Sequence, residues 1–219
     1  MAKPGLACAA NAPGEATVAR APVRRPQADA MQLKVGLLVG VLLLQLAAGS
    51  TAAELAQWER FKRGQYVLLI RHALAPGNGD PTRFLLDDCT TQRNLDDTGR
   101  AQARRIGKYL KVQGVKAARV LSSQWCRCLE TARLLEAGPV AELAALNSFY
   151  ELPQTRAPNL RALKAFLVEL PSQGRPVILV THYVTIAATT GQHVGSGEGV
   201  FAHIESDGTL RFEALASLR

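Results

Sequence analysis

Three apolar stretches of this chain run out onto side chains that can grip an anion. LLIRHA ends on Arg71 and His72, VLSSQWCRCLETA carries Ser122, Arg127 and Thr131, and ILVTHY ends on His182. Histidine attacks or carries protons near neutral pH. Arginine offers a planar fork that donates two parallel hydrogen bonds to a phosphoryl group. Two His and two Arg, with no matching carboxylate at the strand ends, therefore make a pocket for a phosphoryl-type anion. Each residue alone has a blander reading: a hydrogen-bonded structural His, or a solvated charge at a helix start for Arg127. The same design in three segments carries the chemical reading.

The elements around these residues are those that would bring them together. Tyr66 to Ile70 and Pro176 to Thr181 are continuous apolar runs, the pattern of strands buried on both faces. Arg119 to Ser122 is a shorter strand. Trp58 to Gly64 reads as a first helix. Asp96, Asp97 and Thr98 start another, running to about Val112 with Ala103, Ile106, Tyr109 and Leu110 on one side and Gly114 as its stop. Helices are expected over Arg127 to Glu136, along the face Leu160, Leu163, Phe166, Leu167 and Leu170 up to Pro171, and from about Val184. Gly199 to Glu213 reads as a hairpin turning at Asp207-Gly208. Ala75 to about Leu95 is a long loop beginning beside His72, where long loops tend to be functional. Strands alternating with helices predict an α/β fold, a three-layer sandwich with a mainly parallel central sheet flanked by helices. In such sheets ligands bind beyond the carboxyl ends of the strands, where the three segments converge.

The first fifty residues read differently. Residues 1–30 are rich in Ala, Pro and Arg without apolar periodicity, a composition expected to be disordered or a non-native leader. Met31 opens a signal-peptide layout: Lys34, the apolar run Val35 to Gly49, then small residues up to Ala53. The run is shorter than a membrane span, so no stable span is expected after cleavage, with an uncleaved anchor extending to Ala53 as the alternative. The expected domains are therefore 1–30, a signal peptide over 31–53 and a catalytic domain over 54–219, in a periplasmic or secreted protein. The net charge is +8, and residues 1–53 hold five basic and two acidic side chains, leaving +5 for the domain. That balance favours an anionic ligand. Nucleic acid is excluded as a partner, because the basic residues are not interleaved with aromatics, which are 5% of the chain. An exported location permits a disulfide from Cys89 to Cys126 or Cys128, with unpaired thiols or a metal site on Cys126-x-Cys128 as the other outcomes.

Taken jointly, the motifs resemble the histidine phosphatase superfamily, branch 1, the group that includes the cofactor-dependent phosphoglycerate mutases. The R-H-G signature of that family stands here as Arg71-His72-Ala73. Its S-S-x-x-x-R-x-x-x-T-A segment stands as Ser122 to Ala132, and its L-x-x-x-G-x-x-Q-A segment as Leu95 to Ala103. Its second His matches His182. The segments DDCTTQRNL, LNSFY and GSGEGV are similar to exported members that act as lipopolysaccharide-core heptose phosphate phosphatases. The resemblance implies the phosphoglycerate mutase-like fold and hydrolysis of a phosphorylated small molecule or phosphosugar. It implies a phosphohistidine on His72, with Arg71, Arg127 and His182 holding the phosphoryl oxygens, and neither cofactor nor metal. Asn78, six residues after His72, is a further phosphate-binding candidate, with a plain turn residue as its alternative.

Two departures bear on the chemistry. Ala73 replaces the usual Gly. The proton donor of relatives is a Glu in an L-x-E context, and this chain has Leu146-Asn147-Ser148 there. Glu151 is the replacement expected, with Asp87 or Asp88 next. Three other readings share these residues or compete with them. A phosphoryl-binding protein without catalysis would keep the Arg/His pocket and lack the acid. A phosphomutase would share the His chemistry, but its bisphosphorylated cofactors are cytoplasmic. A redox or metal protein would use Cys126-x-Cys128.

Overall fold

The computed structural model describes residues 52–170, 174–215 and 218. The expected leader, the signal segment up to residue 51 and the helix stop at Pro171 lie outside the described residues.

Two apolar pentads, Val67–Arg71 (β1) and Val177–Thr181 (β4), lie in parallel at the centre of one sheet, with Arg71 opposite Thr181. Arg119–Ser122 (β2) joins β4 in parallel on one side, and the short strand Val140–Glu142 (β3) lies outside it. On the other side Gly199–Ile204 (β5) pairs antiparallel with β1, followed by Leu210–Ala214 (β6). The order is β3-β2-β4-β1-β5-β6, a mainly parallel sheet with an antiparallel hairpin at one edge. That hairpin turns at Gly208 with φ +82°, a conformation that glycine adopts without cost. The strand β3 had no forecast, because three residues that are half-buried or exposed leave no apolar run.

Alternation along the strands divides the core into two layers. Leu68, Ile70, Val120, Ile178, Val180 and Phe201 face one side, packed with Trp58 and Phe61 of the helix at 52–62 (α1) and with Ile106 and Leu110 of Asp97–Val112 (α2). Cys126–Leu134 (α3) adds Cys128 and Ala132 to the same layer. Val67, Leu69, Leu121, Val177, Leu179 and Val200 face the opposite side, against Leu163 and Leu167 of Arg156–Glu169 (α4) and Ile186 of Tyr183–Thr190 (α5). The result is the three-layer α/β sandwich. Asp96 caps α2 by accepting the Gly99 N–H at 2.7 Å. The helices α3 and α4 start at Cys126 and Arg156, slightly earlier than their apolar positions indicate.

Cys89 and Cys126 form a disulfide, and Cys128 is a buried free thiol. The bridge fastens the 75–95 loop to the first residue of α3. Gln92 strengthens this junction by accepting the Cys126 N–H at 3.0 Å, one of the helix-end donors that lack an intrahelical partner. Trp125, the residue before α3, makes no side-chain cap of its own.

Candidate active site

The strand order places β4 between β1 and β2, so the residues that follow these three strands meet at one sheet edge. His72 N–H donates to the Thr181 carbonyl at 2.9 Å, and the two imidazole rings lie 5.5 Å apart, edge to face. The turn after His72 is held from α3: Thr131 Oγ1 accepts the Ala73 N–H at 3.0 Å and donates to the Arg127 carbonyl at 2.7 Å. The glycine motif supports the same turn from α2. A Cβ on Gly99 would sit 1.9 Å from the Leu74 carbonyl oxygen, so only glycine lets the helix approach. Gln102 Oε1 accepts the Leu74 N–H at 2.8 Å.

His72 is buried, and its Nδ1 lies 2.7 Å from the Ala73 carbonyl oxygen. A carbonyl only accepts, so Nδ1 carries the proton and Nε2 carries the lone pair. Arg127 Nε–H donates to that Nε2 at 3.2 Å. Burial, reinforced by the Arg127 charge, lowers the His72 pKa from 6.5 to about 3, which keeps the ring neutral and nucleophilic. His182 is fixed the same way. Arg127 Nη2 donates to its Nδ1 at 3.3 Å, so Nε2–H donates to Ser123 Oγ at 2.8 Å. Burial, then Arg127, holds its pKa well below the ordinary value. Ser123 in turn donates to Asn147 Oδ1 at 3.2 Å, and Asn147 also accepts the Gln124 N–H. Asn147, the middle residue of the Leu146-Asn147-Ser148 stretch, therefore steadies His182 through Ser123.

A cavity of about 180 Å³ opens over these groups. Arg71, His72, Arg127 and His182 line it together with Asn78 and Glu151. Arg71 donates from Nη1 to the Val194 carbonyl at 3.0 Å, and its buried Nε has no hydrogen-bond partner among the described residues. Its guanidinium carbon lies 5.4 Å from the Tyr183 ring centroid. Glu151 Oε1 accepts the Asp80 N–H at 2.7 Å, while Oε2 is buried without a partner among the described residues. Asp87 and Asp88 are not among the lining residues, and Asp88 instead caps the turn Cys89–Thr91.

The structure adds residues that sequence reasoning did not single out. Arg93 lines the cavity, donating from Nε to the Gly79 carbonyl at 2.8 Å and from Nη1 to Ala75. Asp80 brings a carboxylate to the site from the long loop, accepting from Arg127 Nη1 at 2.9 and 3.0 Å. Tyr150 and Tyr183, both exposed, line the cavity as well. Asp80 lies in a Gly-Asp-Pro stretch with the look of a turn, and nothing in the sequence pairs it with Arg127. Cys126 is committed to the disulfide, which removes the Cys126-x-Cys128 metal or redox reading. Burial pushes the Cys128 thiol up to about 12.

Residues 67–153 match the histidine phosphatase superfamily, branch 1. That segment holds Arg71, His72, Arg127 and Glu151; His182 lies beyond it. Three solved structures share the fold. The protein histidine phosphatase SixA, complexed with tungstate, is 18% identical with a TM-score of 0.52, over 68% of this chain and 94% of its own. A putative α-ribazole-5′-P phosphatase from Escherichia coli K-12 is 19% identical with a TM-score of 0.53, over 71% and 97%. A mycobacterial glucosyl-3-phosphoglycerate phosphatase in complex with VO3 is 18% identical with a TM-score of 0.51, over 70% and 98%. No curated protein matches the sequence. Together these comparisons define the class of fold, a phosphoglycerate mutase-like α/β sandwich in which residues 67–153 resemble the histidine phosphatase superfamily.

Proposed function

We propose that this chain is an exported phosphohydrolase that cleaves phosphate monoesters through a phosphohistidine on His72. The observation that carries the reading is the state of that ring: Nδ1–H is spent on the Ala73 carbonyl, and neutral Nε2 meets Arg127. In the first step Nε2 exchanges its Arg127 hydrogen bond for phosphorus, and the N–P bond forms as the P–O bond to the leaving alcohol breaks. Arg71 Nε and Arg127 Nη2 are the groups that take the equatorial oxygens and their growing charge, while His182 accepts from Arg127 Nη2 and aims it. Glu151 Oε2 gives its proton to the departing oxygen, and the resulting carboxylate then takes one from the water that hydrolyses the phosphohistidine. Three arginines supply the positive charge that this transfer needs.

A phosphosugar is the substrate class within this reading. The cavity is large enough for a phosphoryl group and part of a ring, and the exposed Tyr150 and Tyr183 offer aromatic faces at its wall. The Cys89–Cys126 bridge supports an oxidising compartment, in keeping with the signal-peptide layout.

A panel of phosphate monoesters, sugar phosphates included, tests the reading on the full-length chain. Phosphate release by wild type and a fall of at least about 10³-fold in His72→Ala are expected. Turnover by His72→Ala at the wild-type rate overturns it.

A further inference from the structure

Asp80 occupies a position that the phosphoryl-transfer chemistry does not itself require. Its side chain is 0% exposed and that of its partner Arg127 is 3% exposed, so the ion pair is withdrawn from water. Both carboxylate oxygens are engaged more than once. Oδ1 accepts from Arg127 Nη1 at 2.9 Å and from the Arg93 N–H at 2.9 Å. Oδ2 accepts from the same Nη1 at 3.0 Å and from Trp125 Nε1 at 3.0 Å. The backbone N–H of Asp80 donates to Glu151 Oε1 at 2.7 Å.

We propose that Asp80 is the positioning residue of this site: its carboxylate fixes the Arg127 guanidinium, and its peptide N–H fixes the Glu151 carboxyl. The inference rests on the phosphohydrolase reading of the pocket. With Nη1 held by Asp80, Arg127 has Nε and Nη2 for His72, His182 and a phosphoryl group. Without this anchor the guanidinium keeps only the longer contacts to His72, His182 and the Arg93 carbonyl, and its donors lose alignment with the equatorial oxygens. Charge works the opposite way. Asp80 lowers the positive potential of a pocket built for an anion, so a carboxylate there weakens ground-state attraction. Geometry is what such a residue contributes, and its effect belongs to the rate rather than to binding. Trp125 and the Arg93 backbone hold Asp80 in turn, which links the long loop to α3 through the reacting centre. Asp80→Asn keeps the size and the backbone N–H, but loses the charge and sets an amide N–H against a donor.

The test uses the full-length chain as wild type, His72→Ala, Asp80→Asn, Arg127→Ala and the Asp80→Asn/Arg127→Ala double variant. Steady-state hydrolysis of p-nitrophenyl phosphate is read beside urea unfolding. Asp80→Asn is expected to lower kcat about 10²-fold while KM moves less than about threefold. In the Arg127→Ala background the same substitution is expected to cost less than about threefold, because the residue it acts through is gone. Wild-type kcat in Asp80→Asn, or equal losses in both backgrounds, overturns the proposal. If Asp80→Asn does not fold, Trp125→Phe removes one hydrogen bond to Oδ2 and keeps both charges. About a tenfold loss in kcat, absent from the Arg127→Ala background, is then expected, and independent losses overturn the role. Wild-type turnover by His72→Ala sinks the phosphohydrolase reading separately. Urea unfolding of the same variants then decides: Asp80→Asn must change stability by different amounts with and without Arg127, and equal changes in both backgrounds overturn the role.

Discussion

In the proposed reaction His72 is a nucleophile because burial holds its ring neutral. Its pKa of about 3 means that Nε2 stays unprotonated through the whole physiological range. The kcat/KM profile, once the substrate's own ionisation is divided out, is therefore expected to show no His72 limb near pH 6.5. A limb there that disappears in a His72 variant would contradict this. Glu151 makes a separate prediction. Glu151→Gln is expected to lower kcat about 10²- to 10⁴-fold for alkyl phosphates, which need a protonated leaving group. For p-nitrophenyl phosphate the loss should be far smaller, because the phenolate departs without a proton. Equal losses on both substrates would remove Glu151 from the role of acid. At this scale the strand-end residues were legible, since Arg71, His72 and His182 follow apolar runs. Arg127 was legible through its spacing from Ser122 and Thr131. Asp80 and Arg93 were not, because their roles arise from how the long loop folds back over α3.

The elements around the site depend on how the long loop is fastened to α3. The Cys89–Cys126 bridge closes 37 residues and anchors the loop that carries Asp80 and Arg93. Replacing both cysteines by serine is expected to cost about 4 kcal/mol of stability by the loop-entropy relation, measured by urea unfolding. A midpoint equal to that of wild type would show that the bridge does not anchor the loop. Sequence narrowed the bridge to Cys89 with Cys126 or Cys128. The choice between them follows from α3, where Cys128 turns inward toward His182, with Sγ 3.5 Å from its Nε2. Apolar runs and Asp96-type caps made the central strands and α2 readable, whereas the edge strand β3 has no buried pattern to read.

For the molecule as a whole, two buried neutral imidazoles link stability to pH. Both His72 and His182 have folded pKa values below those of the unfolded chain. Between these values the unfolded state binds more protons, so stability is complete above about pH 6.5 and falls as pH drops toward about 3. Thermal melts from pH 7 to pH 4 should show a falling Tm, and the His72→Ala/His182→Ala variant a flatter profile. An equally steep profile in that variant would place the linkage elsewhere. The sandwich itself was legible from alternating strands and helices, and its parallel centre from strands apolar on both faces. The meeting of the three strand ends was not: it needs β4 to insert between β1 and β2, an order that local sequence does not encode.

The central claim is a covalent bond to one nitrogen of one residue. Full-length protein mixed with a ³²P-labelled phosphate monoester and quenched in alkali, where phosphohistidine survives, should retain label on the peptide containing His72. Acid treatment should then release that label, and His72→Ala should carry none. Turnover without a labelled protein, or the same label retained by His72→Ala, would contradict the account.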